Sequence, residues 1–342
     1  MIRFNNDYNR SAHPSILEAL SYHSGESFAG YGQDPLCEAA AVEIKKHLGN
    51  ADADIHFLLG GTQVNYTVIA AALRPYQAVI SADSGHIDVH ETGAVENTGH
   101  KILALPAKDG KITAAQIKEQ AAAYVDSDLK EHIVQPKLVY ISQPTEWGTL
   151  YSLQELKDIS TVCRAYDLLL FVDGARMAYG LAAGDVTLAD LAQLCDAFYI
   201  GGTKCGALFG EAVVLTHPIF KEHFRAYMKQ NGALLAKGWL LGLQFYTLFK
   251  DDLYLNLGQT AVAYANELKA AVLKKNIPLY VDSPTNQQFF IMENKHLDRL
   301  AEKYTFENNG AVDDTHSCVR FCTSWSTTRR EIEALIADIN NL

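Results

Sequence analysis

Two polar residues close apolar runs in this chain, and their types define a chemistry. In Leu170-Phe-Val-Asp173-Gly174-Ala175-Arg176 an acid ends an otherwise apolar segment. In open α/β sheets the ligand crevice lies outside the carboxyl ends of the strands, so an acid there can bond the ring nitrogen of a bound heterocycle. The plainer alternative is a strand-terminating Asp that caps the next turn. Further along, Phe198-Tyr-Ile-Gly-Gly-Thr203-Lys204-Cys-Gly-Ala places one lysine after a second apolar run, among small residues. A lysine that forms a Schiff base must be partly desolvated so that its amine can be neutral, and small neighbours let a flat ring approach. An exposed loop lysine is the ordinary alternative.

Acid and lysine, each at a strand end, meet the needs of pyridoxal 5′-phosphate (PLP): a partner for the pyridinium and an amine for the aldehyde. Two further segments suit the same cofactor. Leu58-Leu-Gly60-Gly61-Thr62-Gln63-Val-Asn65 runs from a strand into an apolar helix. A Gly-Gly-Thr turn at a helix start offers free amides, a hydroxyl and the positive end of the helix dipole to a phosphate; a tight turn with Thr62 as N-cap is the bland reading. The spacing is neither GxGxxG nor a Walker loop, so a nicotinamide-dependent enzyme lacks its fingerprint. Asp83-Ser-Gly-His86-Ile-Asp-Val-His90-Glu91 pairs two histidines with an acid. It lacks the glutamate of HExxH and has glycine-rich flanks, so it does not specify a metal site. A strand-end imidazole at His86 stacking on a cofactor ring fits better, with His90 structural.

The elements that would position these residues alternate between short apolar runs and amphipathic stretches. Strands are expected at 55–59, 78–82, 102–105, 138–142, 168–172, 197–200 and 212–215, several apolar on both faces, as strands covered by helices on each side would be. Thr113-Ala-Ala-Gln116 and Ser152-Leu-Gln-Glu155 read as capping boxes, and the helical spacing over 36–48 stops at Gly49. This alternation predicts an α/β domain with a mainly parallel sheet over residues 1–245. From Gly238 to about Lys275 the chain is helical and leucine-rich; strands return at 288–292 and 318–322, predicting a smaller α+β domain over 246–342. The 342 residues carry a formal charge of −11, which argues against nucleic acid or an anionic membrane as partner. Six scattered cysteines without a CxxC pair suit buried free thiols in a reducing compartment, and the N-terminus has no apolar leader, so a cytoplasmic protein is expected.

Taken in order, the segments resemble the threonine aldolase and β-eliminating lyase family of fold-type-I PLP enzymes. The resemblance runs from Asn6-Asp7-Tyr8 and Gly30-Tyr31-Gly32 through Gly60-Gly61-Thr62, His86 to Ala94, Gln143-Pro-Thr-Glu146-Trp-Gly-Thr, Asp173-Gly-Ala-Arg176 and Gly201-Gly-Thr-Lys204 to Leu235-Ala-Lys237-Gly-Trp and Val319-Arg320-Phe. It implies Lys204 as the cofactor lysine, Asp173 as the partner of the ring nitrogen, His86 as the stacked imidazole, and Gly61 and Thr62 as the phosphate cup. It further implies Arg320 as the holder of the substrate carboxylate, a task suited to bidentate arginine geometry, and Arg176 near the cofactor's phenolic oxygen and the substrate. Tyr31 and Lys237 match positions reached from a neighbouring subunit, implying a tetramer built from dimers. Two positions depart from the family pattern. Glu146 stands where many relatives have a histidine linked to the substrate β-hydroxyl, and Asn6 stands where many have a serine near the carboxylate. The expected reaction is cleavage of threonine-like β-hydroxy-α-amino acids to glycine and an aldehyde, with His86 or Glu146 as base. β-Elimination or transamination on the same scaffold uses the same Asp173, Lys204 and Arg320, and a PLP-binding regulatory protein without turnover is the rival from another class.

Overall fold

The computed structural model describes Met1–Leu342. After a short strand β1 (Ile2–Arg3), the main sheet is built from β2 (Asp54–Leu58), β3 (Gln77–Ala82), β4 (Lys101–Leu105), β5 (Gln135–Ser142), β6 (Leu169–Asp173), β7 (Ala197–Gly201) and β8 (Glu211–Leu215). Its order is β2-β8-β7-β6-β5-β3-β4. The pairs from β4 through β3, β5 and β6 to β7 are parallel, and β8 runs antiparallel between β7 and β2. All seven expected strands form; those expected at 55–59 and 168–172 are shifted by one residue, which makes Asp173 the last residue of β6.

The reason for a two-sided sheet is visible in the burial pattern. Every residue of β3, β6, β7 and β8 is buried. Alternate residues therefore feed two apolar cores: Leu170, Val172, Phe198 and Ile200 face one, and Leu169, Phe171, Ala197 and Tyr199 face the other. Each large apolar side chain so covered contributes roughly 1.5–3 kcal/mol relative to exposure. Both expected capping boxes form, at Thr113 and Ser152, and the helix Pro35–Leu48 ends at Gly49 in the left-handed conformation. The six cysteines are buried and free.

After the helices Trp239–Phe249 and Leu253–Lys274 comes a four-stranded antiparallel sheet of β9 (Leu279–Val281), β10 (Gln287–Glu293), β12 (Glu307–Ala311) and β13 (His316–Cys322), in the order β12-β13-β10-β9. The two-residue β11 (Tyr304–Thr305) pairs with β1, so the start of the chain joins this region, and Phe4 lies in the same core as Phe290, Val319 and Phe321. The helix Leu253–Lys274 contributes Ala261 to the first core and Leu268 to this third one. No helix is long and apolar enough to cross a membrane.

The ends of β6 and β7 approach unusually closely, and two glycines allow it. A Cβ on Gly174 would stand 2.0 Å from the Tyr199 carbonyl, and one on Gly201 would stand 2.2 Å from the Ala175 carbonyl. This contact sets the spacing between Asp173 and the loop that carries Lys204. Gly201→Ala is therefore expected to destabilise the fold by about 1–3 kcal/mol, the usual range for forced overpacking, measured as a lower urea midpoint; an unchanged midpoint would contradict the close approach.

Candidate active site

The carboxyl ends of β5, β6 and β7 open into a cavity of about 640 Å³. Gly61, Thr62, His86, Glu146, Asp173, Arg176 and Lys204 reach it from around the large sheet, and Gln287 and Arg320 reach it from β10 and β13. Residues distant in sequence thus share one space, at the place where α/β sheets bind ligands.

Asp173 is 4% exposed. Its Oδ2 accepts hydrogen bonds from the Tyr140 hydroxyl at 2.6 Å and the Asn65 amide at 3.0 Å. Its Oδ1 accepts from the Tyr199 hydroxyl and from the Ala175 N–H at 3.0 Å. The turn-capping alternative is thus real, but it uses only one of four bonds. Burial pushes the carboxyl up, yet the nearby His86 and the three side-chain donors outweigh it and hold Asp173 below the ordinary carboxylate range. It is an anion in a dry place.

Lys204 follows β7, half-buried rather than exposed, and its amine makes neither a hydrogen bond nor an ion pair. Burial first, then the charge of Arg176, holds the amine below the ordinary lysine value, which favours the neutral, nucleophilic form. Arg176 is itself anchored: its Nε and Nη2 donate to Asp7 at 2.6 and 3.0 Å, leaving Nη1 uncommitted. Asn286 donates to the same Asp7 carboxylate at 2.9 Å, so one buried acid ties the N-terminal segment to both sheets.

His86 opens a short helix, and its Nδ1 lies 2.7 Å from Glu91 Oε1. Burial lowers the ring's pKa, but the Glu91 hydrogen bond and the charges of Asp173 and Glu91 outweigh it and raise the value above that of an ordinary imidazole. Asn65 donates to Glu91 at 2.7 Å as well as to Asp173, so a single buried amide braces both acids. Glu146 Oε1 accepts from the His86 backbone N–H at 2.9 Å and the Ser142 hydroxyl at 2.7 Å. Its Oε2 takes no hydrogen bond from the protein. Burial, reinforced by Asp173, pushes the Glu146 carboxyl up despite the Ser142 bond.

Across the cavity, Arg320 donates to Gln287 Oε1 at 3.1 Å and to the Asn5 carbonyl at 3.0 Å, while its buried Nε has no partner. The helix Gly61–Ala72 has Gly60 at its N-cap, not Thr62 as the N-cap reading expected, and no side chain caps it. Its first-turn amides therefore lack protein acceptors, and a Cβ at Gly60 would meet nothing within 4 Å. Open amides, an unbonded half-buried amine, an ionised acid and a roomy cavity fit PLP. Asn6, Tyr31 and Lys237 are not in this wall. Asn6 instead accepts from the Tyr8 N–H, while its neighbours Asn5 and Tyr8 meet Arg320 and the cavity. Tyr31 and Lys237 lie exposed on adjoining loops, joined by the bond from the Tyr31 N–H to the Ala236 carbonyl at 3.2 Å. His90 is exposed beside His86, with ring centres 5.5 Å apart.

Sequence reasoning missed Asp7, Asn65, Tyr140, Tyr199 and Gln287 as participants. Glu91 was visible in a weak pattern of two histidines and an acid and within the run of family resemblance, with no role assigned to it.

The sheet order and the strand-end lysine and acid define a fold-type-I PLP enzyme. The beta-eliminating lyase family model matches residues 19–295, and the chain belongs to that family. A low specificity L-threonine aldolase from a Pseudomonas species is 31% identical over 318 residues, covering 90% of this chain and 88% of the relative. A protein of the same name from Pseudomonas aeruginosa is 29% identical, covering 95% and 93%. A solved threonine aldolase from Leishmania major is 44% identical, with a TM-score of 0.96 over 100% of this chain and 99% of that one. Structures of aminotransferases at 14% identity and TM-scores of 0.72–0.76 share the fold alone.

Since the Glu91 carboxylate supports the charged imidazole, Glu91→Gln is expected to lower the pKa of His86, measured by NMR titration of the ring. An unmoved titration would contradict the pairing.

Proposed function

We propose that this chain is a PLP-dependent carbon–carbon lyase that cleaves L-threonine, L-allo-threonine or related β-hydroxy-α-amino acids such as phenylserine to glycine and an aldehyde. The observation that carries the reading is one cavity holding the Asp173 anion, the unpaired Lys204 amine, Glu146 and, opposite them, Arg320. The likeness to threonine aldolases over nearly the whole chain supports it.

When bound, the cofactor supplies an electron-accepting ring that takes up the pair released at Cα. Lys204 would anchor its aldehyde, Gly61 and Thr62 its phosphate, and His86 would lie against the ring. Asp173, ionised in place, keeps a proton on the ring nitrogen. Arg320, whose side chain lines the cavity, would bind the substrate carboxylate and so orient the bonds at Cα. Glu146 is assigned the proton of the β-hydroxyl, through Oε2. A raised pKa makes it a stronger base than an exposed glutamate, and its Oε1 is held still by Ser142 and the His86 N–H. His86 is the weaker candidate for that role, because the pairing with Glu91 favours its protonated form.

Tyr31 and Lys237 are assigned to the site of a neighbouring subunit, in a tetramer built from dimers. Their exposure on one patch outside their own cavity supports this. Six buried thiols suit a cytoplasmic setting.

The test is a product assay with threonine, allo-threonine and phenylserine. Glycine plus aldehyde supports the reading; pyruvate and ammonia from serine, without aldehyde, would replace it by β-elimination. Glu146→Gln is expected to lower turnover by about 10²–10⁴-fold with the cofactor still bound. In the unaltered protein the rate should fall, as pH drops, above the ordinary glutamate range. Undiminished turnover in the variant would remove Glu146 from the reaction.

A further inference from the structure

Glu211 is a buried acid for which the proposed reaction has no use. It opens β8, is 3% exposed, and contributes to the cavity wall. The strand register puts it opposite Leu58 on one side and Gly201 on the other. The chain beyond Leu58 becomes the Gly60–Thr62 turn, and the chain beyond Gly201 becomes the Thr203–Lys204 loop. Glu211 therefore stands between the open amides at the helix start and the cofactor lysine. Its Oε2 accepts from the Gly202 N–H at 2.9 Å, and it forms no ion pair.

We propose that Glu211 serves as a neutral carboxylic acid at the phosphate end of the cofactor site, an O–H donor that makes retention of the phosphorylated cofactor sensitive to pH. The proposal rests on the assignment of Gly61 and Thr62 to the phosphate. The reason is electrostatic. Above about pH 6 a phosphate monoester is a dianion, and a carboxylate beside it in a poorly solvated wall would repel it. An undissociated acid at the same place donates a hydrogen bond instead. The surroundings favour the acid form: burial pushes the Glu211 carboxyl up to about 8, against the hydrogen bonds from Thr203 and Gly202 and the charge of Lys204. The other titratable groups around it are Asp173 from β6, Tyr199 from β7, Cys205 beyond the lysine and Tyr254 from the helix Leu253–Lys274. The helix Trp239–Phe249 meets this region through Leu241, Phe245 and the Gln244 amide and carries no charged residue. Lys204 is the one cation among these groups, and burial outweighs its charge at the Glu211 carboxyl.

The sign follows directly. Phosphate binding requires the proton, so affinity is highest below the titration of the cofactor-free acid and falls above it. The experiment measures dissociation constants of PLP and of pyridoxal, which has the aldehyde and ring but no phosphate, with cofactor-stripped protein from pH 7 to 10. The ratio of the two cancels the titration of Lys204, which both ligands share. In the unaltered protein the advantage of PLP over pyridoxal is expected to shrink by up to about tenfold per pH unit above pH 8. In Glu211→Gln, which keeps an acceptor for the Gly202 N–H but cannot ionise, the ratio should stay level. A level ratio in the unaltered protein overturns the proposal even if the variant fails to fold, and so does an equal slope in both proteins. Failure to take up either aldehyde would overturn the cofactor assignment itself, a different and recognisable result.

Discussion

The architecture depends on keeping one carboxylate ionised where water is scarce. An unpaired buried carboxylate costs several kcal/mol, enough to make it take up a proton instead. Asp173 avoids this because Tyr140 from β5, Tyr199 from β7, Asn65 from the helix after β2 and the backbone of its own turn all donate to it. These four donors come from separate parts of the large sheet and its covering helix, so the charge state of one side chain is a property of the assembled fold. In the proposed reaction that charge is what would keep a proton on the ring nitrogen of the cofactor.

The same network extends outward. The second hydrogen bond from Asn65 fixes Glu91, Glu91 fixes the His86 ring, and the His86 backbone holds Glu146. A chain of direct contacts thus runs from Asp173 to the proposed base, Glu146. On the opposite side Asp7 joins Arg176 to Asn286, while Arg320 is steadied by Gln287 and the carbonyl of Asn5. The N-terminal segment, paired with β11 and packed against the small sheet, thus reaches the cavity through Tyr8. Sites of this kind work when supporting contacts hold the reacting groups within fractions of an ångström.

Much of this was legible in the chain. Lys204 and Asp173 stood out because strands buried on both faces are apolar throughout, so a polar residue at their end has a purpose. The alternation of strand and helix, the two capping boxes and the stop at Gly49 follow from local chemistry and need no tertiary knowledge. Tyr140 and Tyr199 were hidden by the same logic, since an aromatic in a strand is ordinary until its hydroxyl is seen to meet a carboxylate. Asn65 reaches Glu91 and Asp173 through contacts spanning 26 and 108 residues, which no spacing rule reveals. The N-cap reading of Thr62 failed because Gly60 takes that place and leaves the amides open. Strand β12 went unread because its five residues are all exposed, and an edge strand wet on both faces has no alternation to detect. Tyr31 and Lys237 were marked only through family resemblance, since residues outside their own chain's cavity leave no local signature.

The central claim is that the amine of Lys204, half-buried and free of partners, is where the cofactor is attached. Reducing the cofactor-loaded protein with borohydride makes that linkage permanent, and peptide mass spectrometry then locates it. The expected product is a pyridoxyl-phosphate adduct on Lys204 alone. An adduct on another lysine, or none on a protein that carries the cofactor's visible absorbance, would contradict it.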